Sequence, residues 1–305
     1  TWGHRASPGA GWRVFGGVTT QTRSAAAPSP GPATIERLND GSIPTLVDAA
    51  DGTRRRWTVG LRSNASPSAL GRTHGVEAGL DTGRASARVT PAYPGSMLEL
   101  VDGIPARAWQ YSPPREARRS ATTLAGFVSD RIDLSRRLTL NAALRFDGVT
   151  GAARGAAQDV AWRTWLPRAA MRWSITDTWR IAMISGYERT ANALTLGTLA
   201  YGDPAAPVAD VYRWRGGGNL GPLVTRVGPG AGSGGILTTI DARLERPTTG
   251  EFDIGVEASP IRSMRLRFAH TLKRESHALA VINVGAPRSS YAVTGIPDPG
   301  GNFQD

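Results

Sequence analysis

The sequence predicts an all-β chain, an antiparallel up-and-down meander that forms a partial transmembrane β-barrel of about 10–12 strands. Three observations carry this. Segments of strict period-two alternation recur along the 305 residues. No stretch sustains a helical period. The connections between the clearest strands alternate between short and long, which in a meander puts tight turns at one end and long loops at the other.

Taken in order, Trp12–Thr20 and Thr34–Val47 read as strands with imperfect alternation. In RWTVGLR, Trp57, Val59 and Leu61 oppose Arg56, Thr58, Gly60 and Arg62. In GVEAGLD, Val76, Ala78 and Leu80 oppose Glu77, Gly79 and Asp81. Met97–Tyr111 and Thr122–Ile132 are again less regular. LTLNAALRF is the cleanest strand: Leu138, Leu140, Ala142, Leu144 and Phe146 share one face, and Thr139, Asn141, Ala143 and Arg145 the other, followed by Asp147. Next, Ala169, Met171, Trp173 and Ile175 oppose Arg168, Ala170, Arg172 and Ser174. Trp179, Ile181, Met183 and Tyr187 oppose Arg180, Ala182, Gly186 and Glu188. Phe252, Ile254, Val256 and Ala258 oppose Glu251, Asp253, Gly255 and Glu257. Met264, Leu266, Phe268 and Leu272 oppose Arg265, Arg267, Thr271, Lys273 and Glu275. Such strands have one apolar and one polar face.

The short connections are Asp133–Arg137, Thr176–Thr178 and Ser259–Ser263. The long ones are Gly83–Gly95, Gly151–Leu166 and Ala191–Pro247. Soluble sandwiches do not usually segregate loop lengths this way, and their strands are mostly shorter than the roughly 10 residues a tilted membrane strand needs. The apolar faces are therefore read as a lipid-facing coat. The opposite face, with Asn141, Arg145, Asp147, Arg172, Arg180, Glu188, Glu251, Asp253, Arg265 and Arg267, is read as lumen-facing. Trp57, Trp162, Trp165, Trp179, Tyr187 and Tyr291 fall near strand ends, where interfacial girdles lie.

Composition narrows the function. The formal charge is +11, and Lys273 is the one lysine among 36 basic residues. The arginines are spread along polar strand faces, and no nucleic-acid module is recognisable, so no nucleic-acid partner is expected. There is no cysteine, hence no disulfide or thiolate metal site. His4, His74, His270 and His277 lack metal spacing, so neither metal nor cofactor is expected. Gly230–Gly235 matches a dinucleotide fingerprint only formally, since no helix pattern follows it. Glu251 and Asp253, about 7 Å apart on one strand face, read as ordinary lumen charges rather than a hydrolytic pair. No catalytic residues emerge, and the chain is not read as an enzyme. The Ala191–Pro247 loop is long enough to be functional. Its Tyr201, Asp203, Tyr212, Arg213 and Trp214 are the candidate ligand contacts.

Ala125–Val149, AGFVSDRIDLSRRLTLNAALRFDGV, resembles a hairpin that recurs in the barrel of TonB-dependent outer-membrane receptors. Leu166–Arg189 and Arg246–Glu257 resemble the elements that follow it there. The resemblance covers roughly the second half of the chain. Its flavour is that of the large receptors with an N-terminal carboxypeptidase-regulatory-like domain. It implies one barrel domain over 1–305, lacking its plug, its signal peptide and its last strands. It also implies a place in the outer membrane of a Gram-negative-type bacterium, in contact with lipid. The function implied is uptake of a scarce small-molecule, peptide or glycan ligand, driven by the TonB complex through a plug not present in this chain. The rival readings are a passive porin or adhesin barrel and a secreted all-β carbohydrate-binding module.

Overall fold

The computed structural model describes residues 2–7, 10–24, 33–37, 50–69, 71–91, 95–113, 115–176, 180–205, 208–227, 239–261 and 263–280. Trp179, Tyr291, Gly230–Gly235 and residues 38–47 of the second expected strand lie outside them. Among the described residues there are sixteen strands: β1 Trp2–Ser7, β2 Ala10–Arg23, β3 Ala33–Arg37, β4 Ala50–Ala65, β5 Ser68–Ala69, β6 Arg72–Pro91, β7 Ser96–Val101, β8 Ile104–Tyr111, β9 Ala117–Ser135, β10 Leu138–Ala153, β11 Val160–Thr176, β12 Ile181–Ala191, β13 Ala209–Arg213, β14 Leu223–Val227, β15 Thr248–Ile261 and β16 Met264–Ser276.

The strands sort into two sheets. The main sheet runs β1-β2-β4-β6-β9-β10-β11-β12-β15-β16, with β5 paired to β6. Every pairing along this path is antiparallel. The strands omitted from the path, β3, β7, β8, β13 and β14, form a second, five-stranded sheet in the order β14-β13-β8-β7-β3. All five belong to the connections β2–β4, β6–β9 and β12–β15, which open at the same end of the meander. The other end carries only the short connections β1–β2, β4–β6, β9–β10, β11–β12 and β15–β16. The three long connections thus all open at one end, beside the short β10–β11 connection, and they pair with one another.

Two boundaries differ from the sequence expectation. Gly83–Gly95 reads as a loop but continues β6 to Pro91, and Gly151–Leu166 reduces to a connection at 154–159. In both places small residues and arginines blur the alternation. What makes them strands is the ladder supplied by their neighbours, in which Arg84 pairs with Trp57 and Val160 with Gly151. Met97–Tyr111 is two strands, not one. Asp102 (φ 49°) and Gly103 (φ 77°) turn β7 into β8, and an Asp-Gly pair with both residues at positive φ is a favoured hairpin turn.

The faces follow the alternation. Leu144 lies beside Val128 and Pro167, and Phe252 beside Tyr187 and Leu272, all on one side of the main sheet. This side is bare: Val18 is 62% exposed, Leu272 63% and Phe268 72%. On β10 the outward apolar run from Leu138 to Gly148 is about 33 Å along the strand, or ~24 Å along a normal tilted ~45° to it. That is the height of a barrel's lipid-facing band.

The tilt can be read from the register. Arg189 and Arg55 are each the first polar outward residue above the apolar run on β12 and β4. Along the ladder, Glu188 pairs with Arg168, Arg168 with Ala143, Ala143 with Ser129, Ser129 with Glu77 and Glu77 with Asn64. Arg189 therefore sits level with residues 63–64 of β4, well below Arg55. A drift of about eight residues (~26 Å) over a sheet width of ~24 Å gives a slant near 45°. Strands of a membrane barrel tilt by this much against a flat apolar edge.

Candidate functional site: the inner wall and the folded long loop

The face opposite the apolar band carries a continuous ionic ladder. Arg62 Nη1 and Nη2 donate to Asp81 Oδ1 and Oδ2 at 2.7 and 2.9 Å, a two-pronged pair. Arg145 reaches Asp81 at 3.5 Å and Asp147 at 2.6 Å. Arg246, just before β15, reaches the other oxygen of Asp147 at 3.3 Å. The Arg62 guanidinium lies between two rings, 5.1 Å from the centre of Phe15 and 4.6 Å from that of Phe127. This stack exists because Gly60 and Gly79 leave room for it. A Cβ on Gly79 would stand 2.4 Å from the Phe127 ring, and one on Gly60 2.3 Å from that of Phe15.

A second cluster lies further round the wall. Glu257 receives Arg172 at 2.8 Å and Arg265 at 3.0 Å, with Arg267 at 4.0 Å. Between the clusters a shallow concavity is lined by Asn141, Arg168, Arg172, Glu188 and Asp253. Arg168 and Glu188 stand 3.6 Å apart there, and Asp253 accepts a hydrogen bond from the Thr271 hydroxyl. Four of the residues expected to face the lumen thus meet at one place.

Above the charged zone the inner wall turns apolar. Ala121, Val149, Val160 and Trp162 pack against Leu194, Leu199 and Ile240 of the long β12–β15 connection, with Leu196 and Leu244 at the edge. Polar bonds fix the same contact. Trp162 Nε1 donates to Leu244 O at 2.8 Å, Arg246 Nε to Asn192 O at 2.8 Å, and Arg119 pairs with Asp203 at 2.7 Å. The loop therefore bends inward over the upper wall at 192–205 and 239–247. This corrects one expectation: Trp162 is not an interfacial aromatic. It faces inward, 5% exposed, because the loop covers it. Trp165 and Tyr187 do face outward, and Trp165 packs on Phe146 with ring centres 4.9 Å apart.

The candidate loop residues fall into two groups. Asp203 is 1% exposed and taken up by Arg119 and by the backbone N–H of Ala205. Trp214 is buried and bonds Gly217 O at 3.0 Å. Tyr201 is exposed within the short 3₁₀ turn Thr198–Gly202, while Tyr212 and Arg213 are half-buried on β13. In the same second sheet Trp109 Nε1 donates to Glu99 at 2.9 Å and stacks on Tyr111 at 6.5 Å. Arg180 precedes β12 in its tight turn, with φ 47°, and is not part of the strand. Sequence reasoning left Arg62, Asp81, Phe127, Arg119 and Arg246 out of the site. The glycines on the polar faces of GVEAGLD and RWTVGLR were the available signal for the stack, since a glycine opposite a long side chain marks close approach.

An open, tilted meander with an apolar outside, a charged inside and a long loop folded over its upper inner wall is a piece of a transmembrane-type β-barrel. The family model described as "TonB dependent receptor-like, beta-barrel" matches residues 1–248, and the chain belongs to that family. A search of curated proteins finds no match. Among solved structures, the chain is similar to the ferric-catecholate import receptor Fiu of E. coli K12. The two are 14% identical, with a TM-score of 0.48, over 90% of this chain and 39% of that one. It is similar also to P. aeruginosa FpvA, described as bound to pyoverdines, at 11% identity and TM-score 0.47, over 91% and 37%. The chain thus spans about two fifths of the length of these structures.

Proposed function

We propose that this chain is part of the wall and outer loops of an outer-membrane receptor that takes up a scarce ligand, with energy delivered by the TonB complex through a plug domain. The observation that carries this is the division of the main sheet into a bare apolar outside and an ion-paired inside. A soluble sandwich would cover the apolar face with a second layer. Here the second sheet is built from the long connections at one end, and Phe252, Ile254 and Val256 of β15 and Leu266, Phe268 and Leu272 of β16 stay exposed. Arginines and carboxylates line the inside, as suits a water-filled or plugged lumen. A small-molecule, peptide or glycan ligand would meet the loop sheet first, at Tyr201, Tyr212 and Arg213. Asp203 and Trp214 would act beneath them, holding the loop in place.

Refolding with and without detergent tests the wall. Folded, dispersed protein is expected only with detergent or lipid. A monodisperse, cooperatively melting monomer in plain buffer would overturn the reading.

A further inference from the structure

At the short-turn end the β4–β6 connection folds back on itself. β5 lies along the start of β6, with Ser68 paired to Thr73 and Ala69 to Arg72. Gly71 closes the turn at φ 69°, and the His74 backbone N–H donates to Pro67 O at 2.9 Å. Two side chains of β6 then tie this hairpin to β9. Arg72 donates to Leu134 O and reaches Asp133 O at 3.4 Å. His74 Nδ1 meets Asp130 Oδ2 at 2.6 Å, with the two side chains 16% and 27% exposed.

His74 points outward, one position below Val76, where the apolar run of β6 begins, so it stands outside that run. Ile132 of β9 lies directly opposite it, and Asp130 is the only acid facing the ring among the described residues. β5 brings the uncharged Ser68 and Ala69. Beyond β9, β10 brings Leu140 and Ala142, and on the other side β4 ends in Ala65. Arg72 shares the face, its guanidinium turned to the β9 carbonyls. Glu77 and Arg131 belong to the inner face. His74 Nε2 and Asp130 Oδ1 are shut off from solvent without a hydrogen-bond partner. The hydrogen bond to Asp130 holds the imidazole above its ordinary pKa. Burial opposes this, and the Asp130 charge and the Ala69 carbonyl add to it.

We infer that His74, Asp130 and β5 form a proton-held clip, which fastens the β4–β6 turn to β9 and loosens as the medium turns alkaline. In the imidazolium, Nδ1–H is held by Asp130 and Nε2–H gains from the Ala69 carbonyl. Loss of the Nε2 proton keeps the first contact. It also sets a lone pair against a carbonyl and leaves the half-buried Asp130 carboxylate without its countercharge. The part that gives way is β5, two residues long and held by few bonds. Because pairing raises the folded-state pKa, the clip's contribution is complete below the unfolded value and is lost as pH rises through the folded one. Short turns of a membrane barrel face the periplasm, so the clip reads the pH of that compartment. This placement, unlike the clip itself, rests on the membrane-wall reading proposed above.

The test uses the full-length receptor in detergent, with any cysteine outside this chain replaced by serine and a spin label on S68C. Label mobility is followed from about pH 5 to about pH 9. The mobile-to-immobile ratio is expected to rise by up to about tenfold per pH unit, the slope of one proton, with a midpoint above the ordinary histidine range. A label on T150C, at the far end of β10, is expected not to respond. H74Q should be mobile at every pH and H74K immobile at every pH, while D130N should move the midpoint down. A flat wild-type profile, a wild-type profile in H74Q, or an unchanged midpoint in D130N would each overturn the clip and leave the membrane wall untouched. If H74Q does not fold, the wild-type profile and D130N decide. A receptor that proves to be a folded monomer in plain buffer overturns the wall instead, and the same titration run in buffer decides the clip.

Discussion

Arg62 shows how much one position on the inner wall depends on its neighbours. Its charge is met by Asp81 and its flat faces by Phe15 and Phe127. The arrangement needs hydrogen in place of a Cβ at Gly79. Gly79→Ala is expected to push Phe127 and Arg62 aside and lower stability by about 1–3 kcal/mol, read as a lower melting temperature of the detergent-solubilised receptor. Asp203 is the second informative residue. Asp203→Asn leaves Arg119 facing a neutral partner at a largely buried site, a loss of about 3 kcal/mol by analogy with other broken buried pairs. Amide exchange should accelerate across 192–205 while β9 stays protected. If exchange in that segment is unchanged, Asp203 does not tether the loop. Alternation made the charged faces legible in the sequence. The partner of each charge was not, because Arg62 and Asp81 are 19 positions apart and Arg119 and Asp203 are 84.

Strand β10 has the most regular alternation of the sixteen strands. Its inward and outward sets were readable because nothing interrupts its alternation from Leu138 to Phe146. Leu144 lies inside the apolar band, so Leu144→Arg should cost about 2–4 kcal/mol on folding into lipid. Asn141→Arg, on the inner face of the same strand, should cost far less. Urea titration of the receptor folded into vesicles measures both, and equal costs would show that the two faces are not what they are taken to be. The upper halves of β6 and β11 were less legible. Gly, Ala, Ser and Arg dominate residues 83–91, and Val160 and Trp162 lie in a stretch read as a loop and are apolar on the inner face. The first stretch becomes a strand through its neighbours' ladder. The second face is apolar because a distant loop covers it, and a local pattern carries no trace of that loop.

At the scale of the whole molecule, the main sheet runs from β1 to β16 without closing on itself among the described residues. Open edges recruit other strands, and an uncovered apolar face does the same for apolar surfaces. The chain expressed by itself should therefore sediment as large assemblies in buffer without detergent. Sedimentation velocity checks this, and a discrete monomer would contradict it. The sequence alone determined the strand alternation, the segregation of short and long connections and, from these, the barrel class. These are local properties, fixed by the two-residue period of the pleat and by connection length. Only the tertiary structure decided that the three long connections share one sheet, that Trp162 turns inward under Leu244, and that Arg119 meets Asp203. Each of those depends on register between strands far apart in the chain, which single-strand periodicity does not encode.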